Sequence, residues 1–91
     1  MTNKFRTRIK NNSKNTISIA LFGDFDGASA YELADVVKEN MEKTNRINIQ
    51  TDGLKDIYHF GLDIFNAQIR KLCPPSINLE FKGRYKEAFQ D

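Results

Sequence analysis

Apolar and polar residues alternate along four short stretches of this chain with the period of two that a half-buried strand requires. In residues 5–10, Phe5, Thr7 and Ile9 oppose Arg6, Arg8 and Lys10. In residues 46–51, Ile47 and Ile49 oppose Asn48 and Gln50, and in residues 77–82, Ile77, Leu79 and Phe81 oppose Asn78, Glu80 and Lys82. The fourth stretch, residues 17–22, alternates less cleanly, because Ala20 and Phe22 share the side of Ser18. Strands buried on both faces read as unbroken Val/Ile/Leu runs, so this alternation predicts a sheet covered on one face and wet on the other. The turn-forming residues at 11–15 predict an antiparallel hairpin between the first two strands.

The period changes to that of a helix in two places. Ala30, Leu33, Val37 and Met41 recur at three- and four-residue steps, with Ala34 widening the stripe. Ser29 followed three residues later by Glu32 fits an S-x-x-E capping box and marks the start of that helix, where Asp26 or Ser29 can satisfy orphan amides. Leu62, Phe65, Ile69 and Leu72 form the second stripe, which Pro74 and Pro75 terminate. A short last helix over 84–89 would turn Tyr85, Ala88 and Phe89 inward. The order is β-β-α-β-α-β-(α), and the simplest architecture that buries every apolar face is a two-layer α/β domain spanning 1–91.

Composition narrows the function classes. With 91 residues the chain fits one domain, and 40% hydrophobic with 29% charged residues is ordinary for a soluble globular protein. The single cysteine, Cys73, excludes an internal disulfide and any multi-cysteine metal site, and it suits a reducing cytoplasm. Before the proline pair Cys73 is expected to be a buried structural thiol. The start of the chain alternates Arg and Lys rather than carrying an apolar leader, and no segment reaches about eighteen apolar residues, so the expectation is a protein neither exported nor membrane-inserted. The net charge of +2 is small but uneven, since Lys4, Arg6, Arg8, Lys10 and Lys14 all precede the first acid, Asp24. Such an arm suits the solvated side of an edge strand, and its alternative use is contact with nucleic acid or an anionic surface.

Candidate chemistry is sparse. His59 is the sole histidine, so a His/Cys zinc site is excluded, and no Ser or Asp shows nucleophile-elbow spacing around it. At a helix N-terminus, where the dipole disfavours imidazolium, a neutral ring accepting a capping hydrogen bond is the expected role. Asp24 and Asp26 flank Phe25 and supply only part of a cation site; a turn and helix start that favour negative charge explain them. Residues 22–27 contain neither a P-loop nor a G-x-G-x-x-G spacing. Neither an enzyme nor a cofactor is expected.

Residues 21–33, Leu-Phe-Gly-Asp-Phe-Asp-Gly-Ala-Ser-Ala-Tyr-Glu-Leu, resemble the signature of the STAS domains, a family of sulfate-transporter and anti-sigma factor antagonist domains. Residues 46–62, through Ile47, Ile49, Gly53, Leu54, Ile57, Gly61 and Leu62, resemble the family's next strand, loop and second helix start; residues 77–83 resemble its final strand. The resemblance implies a mixed four-stranded sheet with helices on one face, and a protein partner such as a histidine-kinase-like anti-sigma factor in a bacterial partner-switching pathway that regulates transcription. It implies a binding surface built from the 24–29 loop and the 56–63 helix start, with Asp24, Asp26, Ser29, Asp56, Tyr58, His59 and Phe60 as contact residues. Tyr58 is expected to be exposed, while Phe60 suits either a partner-facing anchor or a core position. In many family members the second helix opens on Asp-Ser-Ser-Gly and its first serine is phosphorylated. Here Tyr58-His59-Phe60-Gly61 stands instead, with His59 at the phosphoacceptor position, which implies binding without the serine switch. Gln50 also replaces an acid common at the end of the preceding strand. The alternatives are a nucleic-acid or anionic-surface binder using the basic strand and the open sheet face, and a soluble component of a transporter. Phe22 is the only plausible stacker on that face, where single-strand binders use several, so a nucleic-acid partner is not expected.

Overall fold

The structure, a computed structural model, describes residues 3–12 and 15–89. Its elements run β1 (Arg6–Asn12), β2 (Thr16–Phe25), α1 (Gly27–Met41), β3 (Arg46–Ile57), α2 (His59–Leu72), β4 (Asn78–Lys82) and α3 (Lys86–Phe89). The strands lie side by side in the order β1-β2-β3-β4. β1 pairs antiparallel with β2, whereas β3 pairs parallel with both β2 and β4. This is the expected mixed sheet, with β1 on an edge. Of the turn predicted at 11–15, Asn11 and Asn12 belong to β1 instead, paired with Ile17 and Thr16, and positions 13 and 14 lie outside the described residues.

Alternation decides which sheet face is covered. Ile17, Ile19 and Leu21 of β2 and Ile47 and Ile49 of β3 are buried, and their neighbours Ser18, Ala20, Asn48 and Gln50 on the opposite face are only half-buried. Both helices lie over the buried face, through Ala30, Leu33, Ala34 and Val37 of α1 and Leu62 and Phe65 of α2. Five phenylalanines knit the far end of this layer. Phe25 meets Phe5, Phe65 and Phe89 edge-on at centroid distances of 5.7, 6.1 and 5.0 Å, and Phe81 stacks on Phe89 at 5.2 Å. Edge-to-face pairs gain from the ring quadrupole beyond the area they bury.

Several expectations are corrected. β2 does not end at Phe22 but runs to Phe25, because Gly23 takes φ +88° and remains in the strand as an irregularity. The chain before β1 lies directly against it: a Cβ on Gly23 would sit 2.0 Å from the Lys4 carbonyl oxygen. β3 continues to Ile57 instead of stopping at Thr51, its register slipping by one residue after the Ala20–Gln50 pair, so that Phe22 rather than Gly23 pairs with Gly53. β4 begins at Asn78, leaving Ile77 before it. Ile9 is 47% exposed rather than inward and covered, since it lies on the edge strand. The last helix spans Lys86–Phe89 rather than 84–89; Phe89 is buried and Tyr85, just before the helix, half-buried, but Ala88 is exposed.

The C-terminal turn is fixed to β3. Buried Thr51 donates its hydroxyl to the Lys82 carbonyl at 2.9 Å and accepts from the Tyr85 amide at 3.0 Å, while Asp52 accepts from the Arg84 amide at 2.6 Å. Cys73 is half-buried, with Sγ 3.5 Å from Met41 Sδ, and burial pushes its thiol pKa up. A raised thiol pKa lowers the thiolate fraction, consistent with a packing role. Because Phe25 is fully buried and joins three rings, Phe25→Ala is expected to cost about 3–5 kcal/mol; urea denaturation monitored by circular dichroism measures this, against less than about 1 kcal/mol for the exposed Lys38→Ala.

Candidate protein-binding corner

Parallel pairing of β2 and β3 brings the starts of both helices to one edge of the sheet. Phe25 pairs with Ile57 at the strand ends, and the Tyr58 amide donates to the Phe25 carbonyl at 2.9 Å. α1 therefore starts two residues after Phe25, beside the first turn of α2. The approach is close. A Cβ on Gly61 would lie 2.8 Å from the carbonyl carbon and oxygen of Asp26, so only glycine admits this contact without a shift. The carboxyl ends of parallel strands are where α/β folds gather ligand contacts, because loops and helix starts converge there.

Asp26 caps α1. Its backbone is extended, and Oδ1 accepts from the Ser29 amide at 2.9 Å. Ser29 is not the cap that the S-x-x-E pattern suggests. It is the third residue of the helix and is buried, its hydroxyl 2.9 Å from both the Asp24 carbonyl and Asp26 Oδ1. With its hydroxyl turned toward the strand end, Ser29 leaves capping to Asp26, and Glu32 is exposed. The Ser29 amide, and then its hydroxyl, hold the Asp26 carboxyl below the usual carboxylate range.

Asp24 is buried as well and serves the N-terminal segment. Its carboxylate accepts from the Asn3 amide at 2.9 Å, and its own amide donates to the Asn3 carbonyl at 2.9 Å. Asp24 and Asp26 thus have separate partners, and the described residues contain no cluster of three or more His, Cys, Asp or Glu suited to a metal ion. The expected contact residues divide accordingly. Asp24 and Ser29 are buried supports, Asp26 is half-buried, and Asp56, Tyr58, His59 and Phe60 are exposed.

Tyr58 is the N-cap residue of α2, and no side chain there makes a capping bond. The expected hydrogen-bonded role for His59 is corrected: it is the first residue of the helix, exposed, and it caps nothing. Tyr58 and Phe60 face each other at 6.1 Å, and Phe60 remains 56% exposed although its ring rests on Gly27, where a Cβ would lie 3.1 Å from it. Tyr31, absent from the predicted contacts, is 54% exposed. It stands four residues after Gly27 and so shares the side of α1 on which Phe60 packs. That Gly27–Tyr31 spacing was visible in the sequence, but its meaning depended on knowing what covers Gly27.

Among the described residues, the large exposed apolar side chains are Ile9, Tyr31, Tyr58 and Phe60. Three of these four lie at the starts of the two helices. Aromatic residues are enriched, and charged ones depleted, at the centre of protein interfaces.

The fold is that of anti-sigma factor antagonists. An anti-sigma factor antagonist from Mycobacterium paratuberculosis superimposes with a TM-score of 0.71 over 89% of this chain and 68% of its own, at 16% identity. The anti-sigma factor antagonist SpoIIAA, in its unphosphorylated form, matches with a TM-score of 0.67 over 93% of this chain and 78% of its own, at 14% identity. No family model matches the sequence, and no curated protein matches it. No described helix is long and apolar enough to cross a membrane.

Replacing Asp26 by Ala is expected to cost about 1 kcal/mol at neutral pH, the usual worth of a helix cap. Because the folded pKa of Asp26 is depressed, this contribution is present above its unfolded pKa and is lost as pH falls through the folded value. Chemical denaturation of the wild type and the alanine variant at a series of pH values should show their difference shrinking toward strongly acidic pH; Asp26→Asn, which caps without titrating, should keep its advantage over Ala there.

Proposed function

We propose that this protein is a non-catalytic interaction module of the anti-sigma factor antagonist type, which presents the corner formed by the α1 and α2 starts to a regulatory protein. The observation that carries this is the gathering of Tyr31, Tyr58 and Phe60 on a closely packed support, with Gly61 and Gly27 at its contacts. Aromatic anchors on a pre-ordered backbone bind with little entropy to lose. Asp26 and Asp56 supply a polar rim. The likeness to two antagonist structures supports a partner of the anti-sigma factor class, and no cofactor or catalytic group is assigned to the site.

We further propose that binding proceeds without the serine switch. His59 occupies the first position of α2, where a phosphoserine would meet unpaired amides and the positive end of the helix dipole. Histidine has no hydroxyl to accept that phosphate, so control lies on the partner or binding is constitutive.

With a histidine-kinase-like anti-sigma factor as the bait, the wild type should be retained in a pull-down, and Tyr58→Ala and Phe60→Ala should each weaken the complex about tenfold or more, as interface anchors do. Incubation with the kinase and ATP should leave the wild type unmodified near His59 while His59→Ser becomes phosphorylated there. Stable serine phosphorylation of the wild type within α2, or unchanged binding by both aromatic variants, would contradict the proposal.

A further inference from the structure

The face of the sheet opposite the helices has a chemistry of its own. Register places Arg6, Arg8 and Lys10 of β1, Arg46 of β3 and Lys82 of β4 on the side of Ser18 and Phe22, with Glu80 as the acid among them. Lys4 and Lys55 join them at a shallow hollow of about 380 Å³ beside Phe22 and Gly53. Seven cations against one acid far exceed the net +2 of the chain, so the remainder of the molecule is net negative. A field so divided steers and holds polyanions on one side only.

The floor of this surface is unlike a protein-binding patch. Phe22 and Ala20 are its apolar side chains in β2, and Asn48, Gln50 and Asn78 alternate with the cations across the neighbouring strands. The Phe22 ring packs against β3 at Gly53, where a Cβ would come within 2.5 Å of it. The Arg6 and Arg8 guanidiniums stand 5.7 and 5.9 Å from the ring centre. Planar guanidiniums beside an aromatic ring offer stacking surfaces to bases, amides meet base edges, and the surrounding cations meet phosphates. A protein partner would want an apolar centre that this face lacks, and a bilayer would make no use of the amides.

We propose that the uncovered sheet face binds single-stranded nucleic acid, with Arg6, Arg8 and Phe22 at its centre and Lys55 and Lys82 extending the phosphate path. This surface is separate from the aromatic corner, on a different side of the sheet from the helices, and it stands or falls independently of the protein-binding proposal.

The test is fluorescence anisotropy of a labelled twelve-nucleotide oligouridine with the full chain across a salt series. Binding at 50 mM salt should weaken linearly in log–log form with a slope of about −3, which corresponds to roughly four neutralised phosphates. Arg6→Glu with Arg8→Glu should weaken binding about tenfold or more, and Phe22→Ala about tenfold. The charge-matched helix-side pair Lys38→Glu with Lys71→Glu should change it less than about threefold, since exposed charges distant from the contact are screened. Should the first pair fail to fold, Lys55→Glu with Lys82→Glu tests the same face from other strands. No binding at 50 mM salt, equal losses in the sheet-side and helix-side pairs, or binding to phosphatidylserine vesicles but not to the oligonucleotide would overturn the proposal.

Discussion

Phe25 ties the interior of this protein to its candidate binding corner. Its ring is fully buried against Phe5, Phe65 and Phe89, which come from the N-terminal segment, α2 and α3. Its carbonyl, on the same residue, receives the amide of Tyr58. The next residue caps α1. The position of the exposed aromatics is therefore set by the core, with no flexible loop between them. Close backbone contact completes the constraint, since Gly61 lets α2 start against the Asp26 carbonyl where any side chain would hold it off. Rigid support of this kind lowers the ordering cost of binding.

The same sheet separates two surfaces of opposite character. On the helical side, the corner exposes the rings of Tyr31, Tyr58 and Phe60; on the other, registered strands line up cations and amides around one ring. A one-sided sheet makes this division possible, because every outward residue of β1 through β4 is free of the packing demand that fixes Ile19, Ile47 and Ile49. The shared fold with two anti-sigma factor antagonist structures extends over most of the chain at 14–16% identity. At that identity the likeness is one of fold.

The sequence made the layers readable because periodicity reports burial directly. The strand cores, both helix stripes and the proline stop after Leu72 all follow from it. It misplaced strand ends and the cap, where close contacts decide. The pattern ended β2 at Phe22, but Gly23 stays in the strand, and its left-handed φ serves a backbone contact with Lys4 that cannot be read from composition. Ser29 matched a capping pattern, yet its burial turned the hydroxyl toward Asp24 and Asp26. The exposure expected for Tyr58 is present, and Phe60, undecided from the sequence, lies exposed. The gathering of Arg46, Lys55 and Lys82 around the basic edge strand depended on register across strands far apart in sequence, so only the N-terminal part of that charge was legible.

If core and corner form one unit, local opening should not expose the hydrogen bonds that join them. Native-state hydrogen exchange followed by NMR measures this at single amides. The amides of Tyr58 and Ser29, bonded to Phe25 and Asp26, should exchange with protection approaching that of Ile19 and Ile49 in the central strands. Rapid exchange at Tyr58 and Ser29, with those strands still protected, would show that the helix starts open independently of the core and would contradict the account.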